Sequence, residues 1–238
     1  MTNIVFLCRD RYRLTKQALE SLYQSTPPNA FTLTIVDDGS EDFRTVKVLE
    51  QVSNLKRNST ILSVRNSHHI LSTLKNLGVY WSEQHWGRGN WLYLSDNDVY
   101  FKPDWLTYLT SLAAYSEDLN PAFAIWGGQA HPFHHSIGWV GYASRSGLPI
   151  TLSEHDCLAG TSWLMRWPTW DKFGPLTGTA PGVCKGEDWA FTERLRAAGG
   201  RIGVVVPHVV LDCSITQSDG NLAPGAELKP REAGVIYE

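Results

Sequence analysis

The stretch that decides the fold is Phe31-Thr-Leu-Thr-Ile-Val36 followed by Asp37-Asp38-Gly39-Ser40. Its first six residues are apolar or β-branched, which predicts a buried strand, and the next four are residue types that turns use. Beyond the turn, Val46, Leu49 and Val52 lie at helical spacing. The stretch therefore predicts one unit of strand, polar turn and helix.

The same unit recurs on both sides of this stretch. Strands are predicted at residues 3–8, 60–64 and 90–95, and helical apolar spacing follows the first two of them. Parallel strands need crossover connections, so alternating strands and helices predict a mainly parallel sheet flanked by helices, an α/β fold. Ligands in such sheets bind beyond the carboxyl ends of the strands, where the polar residues of this chain concentrate.

The second half of the chain has a less regular pattern. Residues 121–156 are rich in glycine, histidine and aromatic residues, which predicts irregular strands and loops. A strand is predicted at 157–166, a helix from about Glu187 to Ala198, and a last core strand at 202–206. We expect a single domain over 1–238, with a nucleotide-binding half at 1–110, an acceptor half at 111–213 and a loop, lid or wrapped arm at 214–238.

Composition narrows the range of partners. The net charge is −3, from 21 basic and 24 acidic residues, so no global basic field indicates a nucleic acid or an anionic membrane. No apolar run approaches the roughly 20 residues of a membrane-spanning helix, and we expect no membrane insertion. Four cysteines without C-x-x-C spacing are typical of reduced thiols, and with no export signal we expect a cytoplasmic protein.

Asp96-Asn97-Asp98 ends the fourth predicted strand. Strand alternation sends the two carboxylates to the same side, and oxygen ligands of this kind suit Mg²⁺ or Mn²⁺, which also coordinate substrate phosphates. The pattern predicts a divalent metal site that holds a nucleotide diphosphate. A solvated Asp-rich turn is the alternative interpretation.

The turn at Asp37, Asp38, Gly39 and Ser40 has a second interpretation as a nucleoside clamp. Carboxylates there would accept hydrogen bonds from a base and a ribose, while glycine permits close approach. The alternative is a turn without a ligand. The presence of acidic motifs at two strand ends favours the functional interpretation of both, because the two motifs would lie at the same edge of the sheet.

Gly186-Glu187-Asp188-Trp189 opens the predicted helix of the second half. Helix capping explains acidic residues at that place, but Asp188 is also a candidate general base for an acceptor hydroxyl. Trp189 beside it would raise the pKa of the carboxyl by excluding water. His208, after the last core strand, is a candidate third metal ligand, and Asp212 competes with it for that role.

In the order and spacing of these motifs the chain resembles family 2 of the inverting glycosyltransferases with the A-type fold. Asp10-Arg11 stands at the family's Asn-Arg turn, Asp37 to Ser40 match its Asp-Asp-Gly-Ser, and Asp96 to Asp98 match its D-x-D. Lys75 to Gly78 resemble its Ala-Arg-Asn-x-Gly helix, and Glu187-Asp188 its later acidic pair. Asp10 departs from the usual Asn.

The resemblance implies roles for part of the candidate set: Asp37 holds the base, Asp96 and Asp98 contact the ribose and a divalent metal ion, Mn²⁺ or Mg²⁺, and Asp188 removes the acceptor proton. Together with the other motifs, we expect donor contacts from Arg11, Asp37, Asp38, Gly39, Ser40, Lys75, Asp96 and Asn97, and metal ligands at Asp96, Asp98 and His208. The expected catalytic pair is Glu187 and Asp188, and Trp126 and Trp189 are the predicted acceptor contacts.

The expected function is transfer of a sugar from a nucleotide sugar, with a UDP sugar as the expected donor. Two other functions compete with it, and a further alternative concerns the acceptor. A nucleotidyltransferase would need a glycine-rich basic loop after the first strand, and LCRDRYR (7–13) has no glycine. A noncatalytic module would bind the nucleotide sugar without using Asp188. The acceptor is expected to be a small molecule, glycan or protein; a modified base in DNA, held by arginines 9, 11 and 13 and the aromatic residues of 126–142, is the alternative that near-neutral charge disfavours.

Overall fold

The structure is a computed structural model, and it describes residues 1–65, 70–116, 123–128, 136–143, 149–158, 160–177 and 186–213. The expected C-terminal arm at 214–238 and the histidines at 68, 69, 131, 134 and 135 lie outside the described residues. Among the described residues, no helix combines the length and the apolar character needed to cross a bilayer.

Strands and helices alternate through the first half of the chain, as predicted. The strands are β1 (Thr2–Cys8), β2 (Phe31–Asp37), β3 (Ser59–Ser63), β4 (Trp91–Asp96), β5 (Val99–Phe101), β6 (Phe123–Gly127), β7 (Ser136–Ala143), β8 (Pro149–His155), β9 (Ser162–Met165), β10 (Arg201–Val206) and β11 (Val210–Asp212). The helices are α1 (Tyr12–Ser25), α2 (Phe43–Leu55), α3 (Leu71–Trp86), α4 (Trp105–Ser116), α5 (Trp167–Phe173) and α6 (Glu187–Ala197).

Within the described ranges, nine strands form one sheet in the order β3-β2-β1-β4-β9-β6-β10-β8-β7. The first four of these are parallel to one another. β9 runs antiparallel between β4 and β6, and the hairpin of β7 and β8 forms the far edge. A small second sheet pairs β5 with β11. The prediction of a mainly parallel sheet flanked by helices is confirmed.

Helices cover both faces of the sheet, and β1 shows how its sequence allows this. All seven residues of β1 are buried, and its side chains alternate between two apolar clusters. Ile4 and Phe6 pack with α1 and α4 on one face, whereas Val5 and Leu7 pack with α3 and α6 on the other. A strand buried on both faces needs a continuous apolar run, which is what the sequence contains.

Gly78 lets α3 lie directly on the sheet. A Cβ at this position would lie 2.5 Å from Val5 Cγ1 and 2.6 Å from Val36 Cγ2, which is closer than real atoms approach. The glycine of the Lys75-Asn76-Leu77-Gly78 motif is therefore a packing residue, and the close approach brings the start of α3 to the carboxyl ends of β1 and β2.

The second half is more regular than predicted. Residues 121–156 were expected to be irregular, but three strands, β6, β7 and β8, lie there within the described part. Glycine and aromatic residues obscure the alternation of β7, whose strand character depends on its pairing with β8. The predicted strand at 157–166 is shorter than expected, because only Ser162–Met165 joins the sheet.

Candidate active site

The carboxyl ends of three neighbouring strands lie side by side at one edge of the sheet. β1 pairs with β2 so that Cys8 is opposite Asp37, and with β4 so that Leu7 is opposite Asp96. Because adjacent strands are about 4.8 Å apart, Asp37 and Asp96 flank the end of β1 roughly 10 Å from each other. Two acidic motifs that are distant in the sequence therefore share one edge of the sheet.

The turn after β2 is ordered by its own side chains. Asp37 Oδ1 accepts hydrogen bonds from Ser40 Oγ at 2.6 Å and from the Ser40 backbone N–H at 3.1 Å. Gly39 has a φ of +67°, in the left-handed region that favours glycine. Asp38 is 5% exposed, and its backbone N–H donates to Cys8 O. The turn is a fixed loop that holds two buried carboxylates next to the end of β1.

Asp10 fastens this loop to the turn after β1, a role that the sequence did not reveal. Its Oδ1 accepts hydrogen bonds from the backbone N–H groups of Glu41 at 2.7 Å and Asp42 at 2.8 Å. Its own N–H donates to Ser40 Oγ at 2.8 Å. Asp10 and Arg11 both adopt left-handed backbone conformations, with φ of 47° and 50°. Non-glycine residues stay in this region only where surrounding contacts hold them, as the Asp10 hydrogen bonds do here.

Lys75 joins β4 to α6 through the interior. Its Nζ lies 3.2 Å from Asp96 Oδ1 and 3.3 Å from Glu187 Oε1, and donates to Gly160 O at 2.9 Å. Lys75 is 2% exposed. Burial alone would lower the pKa of Lys75, but Asp96 and Glu187 together raise it above its ordinary value. The ammonium therefore stays charged and connects the D-x-D motif to the acidic pair of the second half.

A side chain at position 160 would collide with the ammonium of Lys75. A Cβ there would lie 2.8 Å from Lys75 Nζ and 3.3 Å from Glu187 Oε1. The two residues of the predicted catalytic pair, Glu187 and Asp188, make different contacts. Glu187 is committed to Lys75, whereas the Asp188 side chain accepts a hydrogen bond from the Trp189 N–H at 2.7 Å. The geometry gives Glu187 an anchoring position and leaves Asp188 as the candidate base.

Asp98 faces a different set of groups from Asp96. Its Oδ2 lies 3.1 Å from Arg11 Nη1, while its Oδ1 is buried without a hydrogen-bond partner. Cys213 N–H donates to Asp98 O at 2.7 Å, which brings the adjacent Asp212 beside it. Burial and then Asp212 raise the pKa of Asp98, and Arg11 opposes them.

This donor set fits a divalent cation. A buried carboxylate oxygen without a partner, next to a second carboxylate, is stabilised by a hard cation, which prefers oxygen ligands. Among the described residues, no group of three or more His, Cys, Asp or Glu side chains is arranged for a metal ion. Two carboxylates, Asp98 and Asp212, are enough for Mg²⁺, which commonly binds one or two carboxylates and completes its coordination shell with phosphate oxygens and water.

His208 and Asp212, the competing candidates for a third metal ligand, lie at different ends of β11, and the metal role of His208 stays a prediction. The β5–β11 ladder places Asp212 opposite Val99, whereas His208 lies beyond the other end of β11. Lys102 Nζ donates to His208 O at 2.8 Å, and burial together with Lys102 lowers the pKa of His208. Asp212, the competing candidate, is the residue that the register brings to Asp98.

Two other predicted contacts point into the protein. Asn97 is 6% exposed and donates to Thr15 Oγ1 at 2.8 Å, so its amide holds α1 and does not face a donor. Trp126 is 1% exposed, and its Nε1 donates to Ser116 Oγ at 2.7 Å. Its ring lies edge-on to Trp91 in the core. Trp126 therefore presents no face to an acceptor, and both assignments are corrected.

Trp189 lies on the surface of α6 that borders a cavity. This cavity has a volume of about 330 Å³. Its lining comprises Asp156, Trp189, Thr192, Glu193, Arg196 and Ala197. An indole beside carboxylates and a guanidinium is a surface that suits a hydroxyl-rich ligand, because rings stack on the indole and hydroxyl groups bond the charged groups.

The fold is also found in proteins of known structure. Three solved structures share the fold: Staphylococcus aureus TarS residues 1–349 (16% identity, TM-score 0.59, 88% of this chain and 59% of that chain); the mannosyltransferase PcManGT from Pyrobaculum calidifontis in complex with GDP-Man and Mn²⁺ (12%, 0.56, 85% and 56%); and GalNAc-T7 with UDP, GalNAc and Mn²⁺ (15%, 0.64, 94% and 45%). The chain thus spans 45% to 59% of the length of these proteins. The architecture is the A-type fold of glycosyltransferases.

Sequence comparison identifies the family. Residues 4–166 match the family model described as Glycosyl transferase family 2, which covers more than half of the chain. The chain belongs to glycosyl transferase family 2. No significant match was found among curated protein sequences.

Proposed function

We propose that the chain transfers a sugar from a nucleotide diphosphate sugar, with UDP as the nucleotide, to a hydroxyl group of an acceptor, with inversion at the anomeric carbon. The observation that carries this proposal is the convergence of Asp37, Asp96 and the start of α6 at one edge of the sheet, where Lys75 pairs with both Asp96 and Glu187. Family membership and the presence of nucleotide or nucleotide-sugar ligands in the similar structures support it.

The donor nucleoside lies against the Asp37–Ser40 turn in this proposal. Asp37 and Asp38 are buried acceptors for the base and ribose, and Gly39 leaves room for the backbone to approach. Asp98 and Asp212 would hold a divalent cation, which when bound offsets charge on the diphosphate. Arg11 supplies a further positive charge beside Asp98.

Asp188 accepts the proton of the acceptor hydroxyl. That oxygen forms the new bond to the anomeric carbon while the bond from this carbon to the diphosphate oxygen breaks, and the electron pair leaves with the nucleotide diphosphate. Glu187 and Lys75 anchor the start of α6, the helix whose second residue is Asp188. The cavity beside Trp189 is the proposed acceptor site.

A donor-hydrolysis screen tests this function. UDP-, GDP- and dTDP-linked sugars are incubated with the full chain, with divalent metal or with excess chelator, and released nucleotide is measured. We expect release from a UDP sugar with metal and its loss on chelation. Undiminished release in excess chelator would contradict the metal role of Asp98, and no release from any donor would contradict transfer.

One variant distinguishes the transferase from the alternative, a noncatalytic module that only binds the nucleotide sugar. Asp188→Asn should bind UDP as the wild type does and release no nucleotide from the sugar. A wild-type chain that binds UDP but shows no turnover with any donor would favour the noncatalytic module instead.

A further inference from the structure

Asp156 has a carboxylate oxygen that is buried without a hydrogen bond. The residue directly follows β8, is half-buried and lines the cavity along α6. Its Oδ1 is enclosed, and no described residue donates a hydrogen bond to that atom. A carboxylate in this situation has lost water and gained no partner, which costs free energy. A ligand in the cavity that carries a proton donor would supply the missing hydrogen bond.

The contacts of Cys157 place Asp156 near the candidate base. Thr192 Oγ1 donates a hydrogen bond to Cys157 Sγ at 3.1 Å, and the same hydroxyl lies 2.8 Å from Asp188 O. Asp156 and Asp188 both raise the pKa of the Cys157 thiol by their charge, although burial is the larger cause. Because such charge effects act over short distances, the two carboxylates border one small region of the protein. A ligand that presents one hydroxyl group to Asp188 can therefore present a second to Asp156.

The cavity has the dimensions of a small-molecule site. The helix contributes Trp189, Thr192, Glu193, Arg196 and Ala197 to its lining. Their spacing of three and four residues places them on one face of α6, over a length of about 12 Å at the helical rise of about 1.5 Å per residue. The volume of about 330 Å³ lies at the lower end of the range of small-molecule sites, which is about 300 to 1,000 Å³. These dimensions suit a sugar ring better than the surface of a protein partner.

The charges of the lining favour hydroxyl groups over ions. Asp156 and Glu193 contribute carboxylates, and Arg196 contributes a guanidinium. A phosphate group only accepts hydrogen bonds and is repelled by carboxylates, whereas an ammonium group only donates and is repelled by Arg196. A hydroxyl group donates and accepts, so it bonds with both kinds of side chain. Trp189 adds a flat aromatic surface against which the C–H groups of a sugar ring can pack.

We propose that Asp156 determines acceptor specificity: the cavity beside Trp189 takes a neutral sugar ring, and Asp156 accepts a hydrogen bond from the hydroxyl next to the one that reacts at Asp188. The acceptor is then a saccharide with two neighbouring free hydroxyl groups, and not a protein side chain, a phosphorylated sugar or a DNA base. This inference rests on the proposed function and names the acceptor class of the same site. Asp156 binds the acceptor and takes no part in proton transfer.

Binding of methyl glycosides tests this inference without turnover. Saturation-transfer NMR titrations of the full chain, with UDP and Mn²⁺ present, measure the affinities of the methyl pyranosides of glucose, galactose, mannose and N-acetylglucosamine. The compound that binds best is then compared with its monodeoxy analogues, each of which lacks one hydroxyl group. Its 6-carboxylate and 2-amino forms test a negative and a positive charge on the same ring.

Three variants complete the design. Asp156→Ala removes the carboxylate, and Asp156→Asn keeps an acceptor oxygen without the charge. Glu50→Ala is the matched control, because Glu50 lies at an exposed position of α2. We expect at least one neutral glycoside to bind, and Asp156→Ala to bind it about ten- to a hundredfold more weakly, the range for a hydrogen bond to a charged group. Asp156→Asn should lie between the two, and Glu50→Ala should match the wild type.

One deoxy analogue should identify the hydroxyl group that Asp156 binds. The wild type should bind this analogue about as weakly as Asp156→Ala binds the parent glycoside, and Asp156→Ala should not distinguish the two compounds. A loss of packing alone would instead weaken the binding of every compound equally. If Asp156→Ala does not melt like the wild type, Asp156→Asn takes its place in the same comparison.

Three results would overturn the inference. One is that no neutral glycoside binds, and the second is that a charged form binds more tightly than its neutral parent. The third is that the variant at position 156, in a chain that melts like the wild type, weakens the parent and all its deoxy analogues equally or not at all.

Saccharide binding and donor hydrolysis can fail separately. Binding that depends on Asp156, together with no donor hydrolysis by the wild type, supports the saccharide site and rejects the transferase. Chelator-sensitive hydrolysis without binding of any neutral glycoside rejects the saccharide site and supports the transferase.

Discussion

Lys75 Nζ lies 3.3 Å from Glu187 Oε1, so α3, in the first half of the chain, is ion-paired with the first residue of α6 in the second half. The same ammonium lies 3.2 Å from Asp96 Oδ1. One buried charge therefore sets the distance between the D-x-D motif and the candidate base. The two halves of the chain contribute to a single site.

Loss of this charge should destabilise the protein. Lys75 is buried, and Lys75→Met leaves the partly buried carboxylates of Asp96 and Glu187 without their shared counter-charge. Breaking a buried ion pair by removing one partner costs about 3 kcal/mol or more in the free energy of unfolding. Lys47→Met, at an exposed position of α2, is the control. Urea unfolding of both variants measures the difference, and equal stabilities would contradict the structural role of Lys75.

Asp188→Asn should separate chemistry from binding. An amide cannot accept the acceptor proton, so we expect kcat for transfer to fall about 100- to 10,000-fold while the affinity for the donor is kept. Glu50→Gln makes the same chemical change, carboxylate to amide, at an exposed position of α2 that belongs to no part of the proposed site, and it should change kcat much less. Comparable losses in the two variants would show that Asp188 has no special part in the reaction.

Asp10 offers a test of positioning. Asp10→Ala removes the acceptor for the Glu41 and Asp42 N–H groups and so loosens the chain that follows the Asp37–Ser40 turn. We expect KM for the donor to rise about tenfold, with a smaller effect on kcat. Asp10→Asn keeps an Oδ1 acceptor and tolerates a left-handed backbone, so it should resemble the wild type. Steady-state kinetics with varied donor decide this. If Asn fails to restore KM, the hydrogen bonds to the loop are not the cause.

The buried thiols provide a check on the packing around α6. The pKa of Cys157 is raised to about 12, chiefly by burial; Asp188 and Asp156 add to the rise, and the hydrogen bond from Thr192 opposes it. Because only the thiolate reacts, Cys157 should remain unreactive up to about pH 10 in the native protein. Alkylation at pH 8.5, mapped by mass spectrometry, should be at least about a hundredfold slower in the native chain than in urea. Similar rates would contradict the burial of this segment.

Much of the first half could be predicted from sequence, for a physical reason. A parallel strand covered on both faces must be continuously apolar, so its polar end is visible, and parallel strands place those ends at one edge. Asp37 and Asp96 were predictable on that basis, and their registers with β1 confirm it. The dependence of Lys75 on a helix more than 100 residues away was not visible in any local pattern.

The positions of several candidate residues depend on strand register and on burial, which local sequence motifs do not encode. Asp212 lies beside Asp98 because of a three-residue ladder between β11 and β5, and no periodicity in the sequence predicts that pairing. Trp126 was placed at an acceptor site because tryptophan stacks on sugars, but the same apolar ring fills the core beside Trp91. The role of Asp10 arises from side-chain bonds to a distant loop.

The central claim is that one nucleotide and one divalent ion bind together between Asp37, Asp98 and Asp188. Crystals of the full chain grown with UDP and Mn²⁺, with anomalous diffraction recorded at the manganese edge, test it most directly. We predict an anomalous peak in contact with Asp98 and Asp212, with the uracil against Asp37 and the diphosphate between them. A manganese peak or a nucleotide elsewhere, away from the carboxyl ends of β1, β2 and β4, would contradict the account.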